Sequence, residues 1–178
     1  MPYLCTMRVF LIGYMGCGKT TLGKSLSELL NIPFIDLDED FEARYRITIA
    51  DFFLKYGEAS FRRIEQNLLH EYMTSDDRVI STGGGTPCFF DNMDQMLKHG
   101  ITVYLEMLPA ELEQRLAVSI RKRPLLHLKK DEILLDFITQ HLSQREVFYR
   151  QAHMVVRVPV SNTEALAGEI RRHALFTP

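Results

Sequence analysis

The segment Gly13-Tyr14-Met15-Gly16-Cys17-Gly18-Lys19-Thr20 follows directly on the apolar run Val9-Phe10-Leu11-Ile12, and this junction restricts the fold more than any other feature of the chain. A short apolar strand that runs into a glycine-rich loop and then a helix wraps backbone N–H groups around the phosphates of a nucleotide. Gly13 and Gly18 permit backbone angles and close approach that a Cβ would block, and Gly16 adds freedom to the turn. Lys19 is placed to reach the β- and γ-phosphates, and the Thr20 hydroxyl to ligate Mg²⁺. A helix that begins near Lys19 brings its positive dipole end to the same phosphates. Gly13, Gly16, Cys17, Gly18, Lys19, Thr20 and Thr21 are therefore the expected nucleotide-binding set.

Apolar periodicity extends the same reading along the chain. Runs at 8–12, 32–35, 79–81, 101–105 and 154–158 read as strands. Between them lie helical patterns, among them Leu22, Leu26, Leu29 and Leu30, then Phe61, Ile64, Leu68 and Tyr72, then Ile133, Phe137, Ile138 and Leu142. Such alternation predicts an α/β fold with a parallel sheet of about five strands and helices on both faces. In a sheet of that kind the ligand sits beyond the carboxyl ends of the strands.

Three of those ends carry chemistry. After the second strand comes Ile35-Asp36-Leu37-Asp38-Glu39-Asp40; in an extended segment Asp36 and Asp38 point the same way, toward the phosphate side. Asp36 is the candidate to hold Mg²⁺ or its waters, because the third strand runs from Val79 into Gly83-Gly84-Gly85 without the acid that phosphate-loop enzymes usually place there. Glu106, after the fourth strand, is a weaker metal candidate and an equally good helix cap. Asp38 is the candidate to orient or deprotonate a hydroxyl, while Glu39 and Asp40 read as acids favouring a helix start. Three consecutive glycines strip a length of backbone bare, so a flat or ring-shaped ligand is expected to lie against it. Arg62, Arg63, Arg121, Arg123 and Arg145 are the guanidinium groups available to grip carboxylates or phosphates. The basic stretch 121–130 reads as a mobile lid.

Composition narrows the classes. A formal net charge of -2 over 178 residues argues against nucleic acid or an anionic membrane as the main partner. The length suits one domain over 1–178, and a monomer is the expected state. Cys5, Cys17 and Cys88 are odd in number and widely spaced, which suggests neither a disulfide framework nor a zinc site and fits a reducing cytoplasm. No apolar run approaches transmembrane length, and residues 9–12 are too few for a signal-peptide core.

Together these motifs resemble the shikimate kinase family, in the family's order over nearly the whole chain. They are the loop 13–20, Asp36-Leu37-Asp38, Gly57-Glu58-Ala59-Ser60-Phe61-Arg62-Arg63-Ile64-Glu65, Gly83-Gly84-Gly85, Arg123-Pro124-Leu125-Leu126, and Arg145 four residues before Tyr149. The resemblance implies a P-loop kinase fold with a mobile lid. It further implies transfer of the γ-phosphoryl group of ATP to the 3-hydroxyl of shikimate, giving shikimate 3-phosphate and ADP, with Mg²⁺, in the aromatic amino acid pathway of the cytoplasm. By the same resemblance Lys19, Asp38 and Arg123 are catalytic, and Arg123 neutralises charge on the phosphoryl group from the lid. Asp38 meets the hydroxyls of shikimate, Arg62 and Arg145 its carboxylate, and Gly83, Gly84 and Gly85 border its ring. Phe53 and Phe61 stand between pocket wall and core. Either Arg115 or Arg121 packs against adenine, and the loop around 160–163 lacks the proline seen in some members. Two other readings stay open: a related small-molecule kinase such as a gluconate kinase, and a nucleotide-binding regulator without catalysis.

Overall fold

A computed structural model of the protein describes residues 6–74, 76–121 and 131–176. Five strands form one parallel sheet: β1 (Arg8–Ile12), β2 (Phe34–Asp36), β3 (Arg78–Ser81), β4 (Ile101–Glu106) and β5 (Met154–Arg157), in the order β2-β3-β1-β4-β5. Among the described residues eight α-helices connect and follow them: α1 (Lys19–Leu30), α2 (Leu37–Tyr45), α3 (Ile49–Tyr56), α4 (Glu58–Met73), α5 (Asn92–His99), α6 (Pro109–Arg121), α7 (Asp131–Tyr149) and α8 (Thr163–Phe176). In β1, Val9, Phe10, Leu11 and Ile12 are all fully buried although successive side chains point to opposite faces. Both faces of the sheet are therefore covered, the condition under which a parallel strand reads as an unbroken apolar run. Strand order reverses at β1, between β3 and β4, and the glycine-rich loop lies at that switch point.

The helical faces follow their apolar stripes, with one shift. Leu22, Leu26 and Leu30 of α1 and Phe61, Leu68 and Tyr72 of α4 are buried as the spacing predicts. In α7 the inward face is Leu134, Ile138, Leu142 and Tyr149, whereas Phe137 is exposed. A stripe drawn one residue off carries the wrong aromatic inward.

A second apolar cluster lies outside the main core. Phe41 of α2, Phe52 of α3 and Phe61 and Leu68 of α4 form it, with Phe53 packed against them. The Phe41 ring meets Phe52 and Phe61 edge to face, at centroid distances of 5.2 and 5.0 Å, a geometry that adds about 0.5–1.5 kcal/mol per pair beyond area burial. This cluster fixes the start of α4, from which Arg62 projects. Among the described residues no helix is long and apolar enough to cross a membrane.

The second strand runs to Asp36, one residue past the expected 32–35, but the extended conformation expected through Asp38 stops there. Asp36 is the last residue of β2 and caps α2, its Oδ1 accepting from the backbone N–H of Asp38 at 3.1 Å and of Glu39 at 3.5 Å. The cap satisfies otherwise orphaned donors, and Asp38, Glu39 and Asp40 in the first turn complement the dipole. Asp38 is accordingly helical, and the extended geometry expected for the Asp36–Asp38 pair is not what brings it to the site.

Candidate active site

The phosphate loop uses three glycines with positive φ: Gly13 at 141°, Gly16 at 80° and Gly18 at 102°. Gly18 is the left-handed N-cap of α1, so the helix begins at Lys19. Lys19 is buried and turned back on the loop, where its Nζ donates to the carbonyls of Gly13 (2.8 Å) and Tyr14 (3.0 Å). Thr20 Oγ1 donates to Asp36 Oδ2 at 2.7 Å. A cavity of about 280 Å³ is walled by Gly16, Gly18, Lys19, Thr20, Thr21 and both Asp36 and Asp38. Gly13 is not on that wall; a Cβ there would come within 2.8 Å of the Leu105 carbonyl oxygen, so the turn itself requires glycine.

Thr20 and Asp36 together offer two hard oxygens beside the loop. Among the described residues no group of three or more His, Cys, Asp or Glu could hold a metal unaided. Such a site suits Mg²⁺, which keeps waters and shares its shell with substrate phosphates. Glu106 is no part of it, being paired with Arg150 at 2.9 Å.

A second cavity, about 360 Å³, opens on the other side of Asp38. Its walls carry Arg62, Glu65, Arg145, Phe53, Phe61 and the three glycines Gly83, Gly84 and Gly85. Asp38, Met15 and Gly84 line both cavities. Burial pushes the Asp38 carboxyl up to about 6, with Asp36 and Glu65 adding repulsion and Lys19 and Arg62 opposing it. Arg62 is buried, which works against its charge, but Glu65 and Glu58 outweigh that and hold its proton more tightly than usual. Its guanidinium donates to Glu65 Oε2 (2.8 Å) and to Glu58 Oε1 (3.1 and 2.8 Å), and lies over the Phe89 ring. Glu65 in turn accepts from Thr86 Oγ1 at 2.5 Å.

The triple glycine also answers to the protein's own packing. None of the three has a positive φ. A Cβ on Gly83 would lie 2.8 Å from Glu65 Oε1 and 2.9 Å from Asp38 Oδ1, and one on Gly85 would lie 2.5 Å from Arg62 Nη2. At Gly83 and Gly85 the protein's own polar side chains exclude a Cβ, and at Gly84 the Met15 backbone nitrogen, 3.1 Å away, is the nearest atom. Tyr149, four residues after Arg145, donates to the Gly84 carbonyl at 2.5 Å and ties α7 to the same strip. Burial raises the Tyr149 phenol well above its usual range, which keeps it a donor.

A third cavity, about 380 Å³, adjoins the loop at Cys17, Gly18 and Thr21 and is closed by Arg115, Val158 and Pro159. The Arg115 guanidinium also reaches the carbonyls of Gly16 (3.3 Å) and Cys17 (3.4 Å). Of the two arginines considered for this end, Arg115 is on the wall; the side chain of Arg121 lies outside the described residues, as do Arg123 and 122–130 of the expected lid. Sequence reasoning missed Glu58, Glu65, Thr86 and Pro159. Glu58 and Glu65 stand four residues before and three after Arg62, the spacings at which helical side chains pair, so that signal was present. Thr86 and Pro159 had none.

Known proteins identify the family of this chain. A family model described as shikimate kinase matches residues 15–174. A shikimate kinase of Bacteroides fragilis is 55% identical over 149 residues, covering 84% of this chain and 83% of that protein, and one of Bacteroides thetaiotaomicron is 50% identical, covering 84% and 85%. The crystal structure of shikimate kinase from Bacteroides thetaiotaomicron superposes with a TM-score of 0.82 at 42% identity, covering 96% of this chain and 98% of that one. Shikimate kinase from Acinetobacter baumannii in complex with shikimate gives 0.79 at 33% identity, covering 96% and 93%.

Proposed function

Because this chain belongs to the shikimate kinase family, an ATP-dependent kinase family, we propose how its residues divide the transfer of the γ-phosphoryl group of ATP to the 3-hydroxyl of shikimate. The observation that carries the assignment is the position of Asp38 on the shared wall of the phosphate cavity and the cavity holding Arg62 and Arg145. Phosphoryl transfer needs donor and acceptor in line with little covalent help from the protein, so placement and charge supply the catalysis. The loop N–H groups around Gly16 and Gly18 receive the phosphates, and Lys19 exchanges two carbonyl acceptors for phosphate oxygens. Asp38 accepts the hydrogen bond of the attacking hydroxyl and draws off its proton, a role favoured by a carboxyl that titrates near neutrality. Arg62 and Arg145 grip the shikimate carboxylate, and Gly83, Gly84 and Gly85 leave the ring room between them. Arg123, in the lid, is assigned to the charge of the transferred group. Arg115 and Pro159 face the adenine.

Thr20 and Asp36 would hold Mg²⁺, which when bound neutralises phosphate charge. Cys17 and Cys88 are free thiols, which supports action in a reducing cytoplasm. One continuous sheet carries the residues of the cavities, which supports a single domain, and a monomer is the proposed state.

The test is ADP release by the purified protein with shikimate, gluconate or neither, in the presence of Mg²⁺ or of a chelator. Release should require shikimate and collapse with chelation. Release that ignores shikimate would refute the assignment, and preference for gluconate would move it to the related kinases.

A further inference from the structure

His141 is not explained by the reaction as assigned. It lies on α7 one helical turn before Arg145, and both line the cavity given to the acceptor. Its Nδ1 is 2.8 Å from the hydroxyl of Tyr14, a buried side chain at the second position of the phosphate loop. The two rings meet edge to face at 5.6 Å, and the Arg145 guanidinium lies 5.8 Å from the centre of the Tyr14 ring. Tyr14 thus touches His141 with its hydroxyl and Arg145 with its ring, while its carbonyl holds Lys19.

That contact sets the tautomer. Burial raises the Tyr14 phenol, against the opposing effect of Arg145, so it remains protonated and able to donate. The hydroxyl and Nδ1 share one hydrogen bond whose direction follows the imidazole tautomer; with Tyr14 donating, Nδ1 is the acceptor. The imidazole is kept neutral by burial and by Arg145 on its own helix, with Glu58 of α4 partly offsetting them. A neutral ring that accepts at Nδ1 carries its proton on Nε2. The ring nitrogen left for a ligand is therefore a donor.

We propose that His141 is a further recognition residue of the acceptor site, its Nε2–H donating to an oxygen of the bound acceptor beside Arg145, with Tyr14 as the positioning residue that fixes the tautomer. The proposal rests on the acceptor being shikimate. It adds a neutral donor next to two cations, which distinguishes a hydroxylated carboxylate from a carboxylate alone. It also ties acceptor recognition to the phosphate loop through one side chain.

The experiment compares wild type with His141→Phe, His141→Gln, Tyr14→Phe and the double variant Tyr14→Phe/His141→Phe, reading KM for shikimate and for ATP separately. Wild type is assayed first; failure to phosphorylate shikimate would overturn the reading on which this one rests. With an active wild type, His141→Phe should raise the shikimate KM by up to about tenfold, the effect of losing one hydrogen bond, and leave the ATP KM within about twofold. Gln retains a donor and should recover most of the loss. The double variant is decisive, because it removes both partners of the Tyr14–His141 bond and leaves neither unsatisfied. If His141 only serves Tyr14, the double variant restores the wild-type KM and the proposal is overturned; if His141 reads the acceptor, the KM stays high. Should His141→Phe alone fail to fold, the double and Gln variants decide the matter. On wild-type protein, long-range ¹H–¹⁵N spectra should show one histidine as the Nε2–H tautomer, absent in His141→Gln and shifted by shikimate; an Nδ1–H tautomer overturns the proposal.

Discussion

Asp38→Asn should sharply lower turnover and yet stabilise the substrate-free protein, by an amount that depends on pH. The carboxyl is pushed from an ordinary 3.8 up to about 6, chiefly by burial and then by the carboxylates of Asp36 and Glu65. At about 1.4 kcal/mol per pH unit, that gap corresponds to about 3 kcal/mol. The folded carboxyl binds its proton more tightly than the unfolded one, so stability is withdrawn as pH rises from about 4 through 6, and the whole penalty stands above that window. Asn carries no charge at any pH. The variant should therefore gain up to about 3 kcal/mol at pH 8 and almost nothing at pH 4, where wild-type Asp38 is protonated in both states. For a chain of this size that is a rise in Tm of about 5–10 °C at pH 8. Thermal unfolding followed by circular dichroism without substrates, from pH 4 to 8, measures it; ADP release with shikimate at pH 8 should show turnover reduced by about 10²–10⁴-fold. An equal change in Tm at pH 4 and pH 8, or a loss of stability at pH 8, would refute the account of Asp38 as a carboxylate held at a cost. Unchanged turnover would remove it from the mechanism.

Two other perturbations probe the acceptor cavity. Gly85→Ala places a methyl group 2.5 Å from Arg62 Nη2 and, because Glu65 and Glu58 pin that guanidinium, should raise the shikimate KM at least about tenfold while leaving the ATP KM unchanged; an equal rise in both would point to general disorder of the strip. Glu58 is half exposed and competes for the guanidinium that the shikimate carboxylate needs, so Glu58→Ala should lower the shikimate KM by about two- to fivefold, the range for releasing an exposed ion pair. A higher KM in that variant would make Glu58 a support of Arg62 rather than its competitor.

Much of the architecture was legible because it depends on local pattern. Apolar strand runs alternating with helical stripes along the chain predicted the parallel sheet, with the loop at the carboxyl end of its first strand; the strand order that puts this loop at the switch point came from the structure. Lys19, Thr20 and Asp36 followed from that loop, since Thr20 and Asp36 flank strand ends that the topology brings together. Where pattern alone was ambiguous, the reading slipped: Asp36 ends its strand because its carboxylate caps a helix, and Phe137 faces solvent because the inward stripe of α7 runs through Leu134 and Ile138.

The sequence by itself determined the donor side of this protein, because a phosphate loop is contiguous and its chemistry is carried by backbone N–H groups and adjacent side chains. The acceptor side is different in kind. Asp38, Arg62, Glu65, the three glycines and Arg145 come from α2, α4, the end of β3 and α7, and only their folding together decides which charge meets which. Tertiary structure alone buried Asp38 and placed carboxylates beside it so that its proton is lost near pH 6, filled the space over Gly83 and Gly85 with polar side chains, and brought His141 across 127 residues of chain to Tyr14. Desolvation and charge proximity act through space, and sequence spacing carries no record of them.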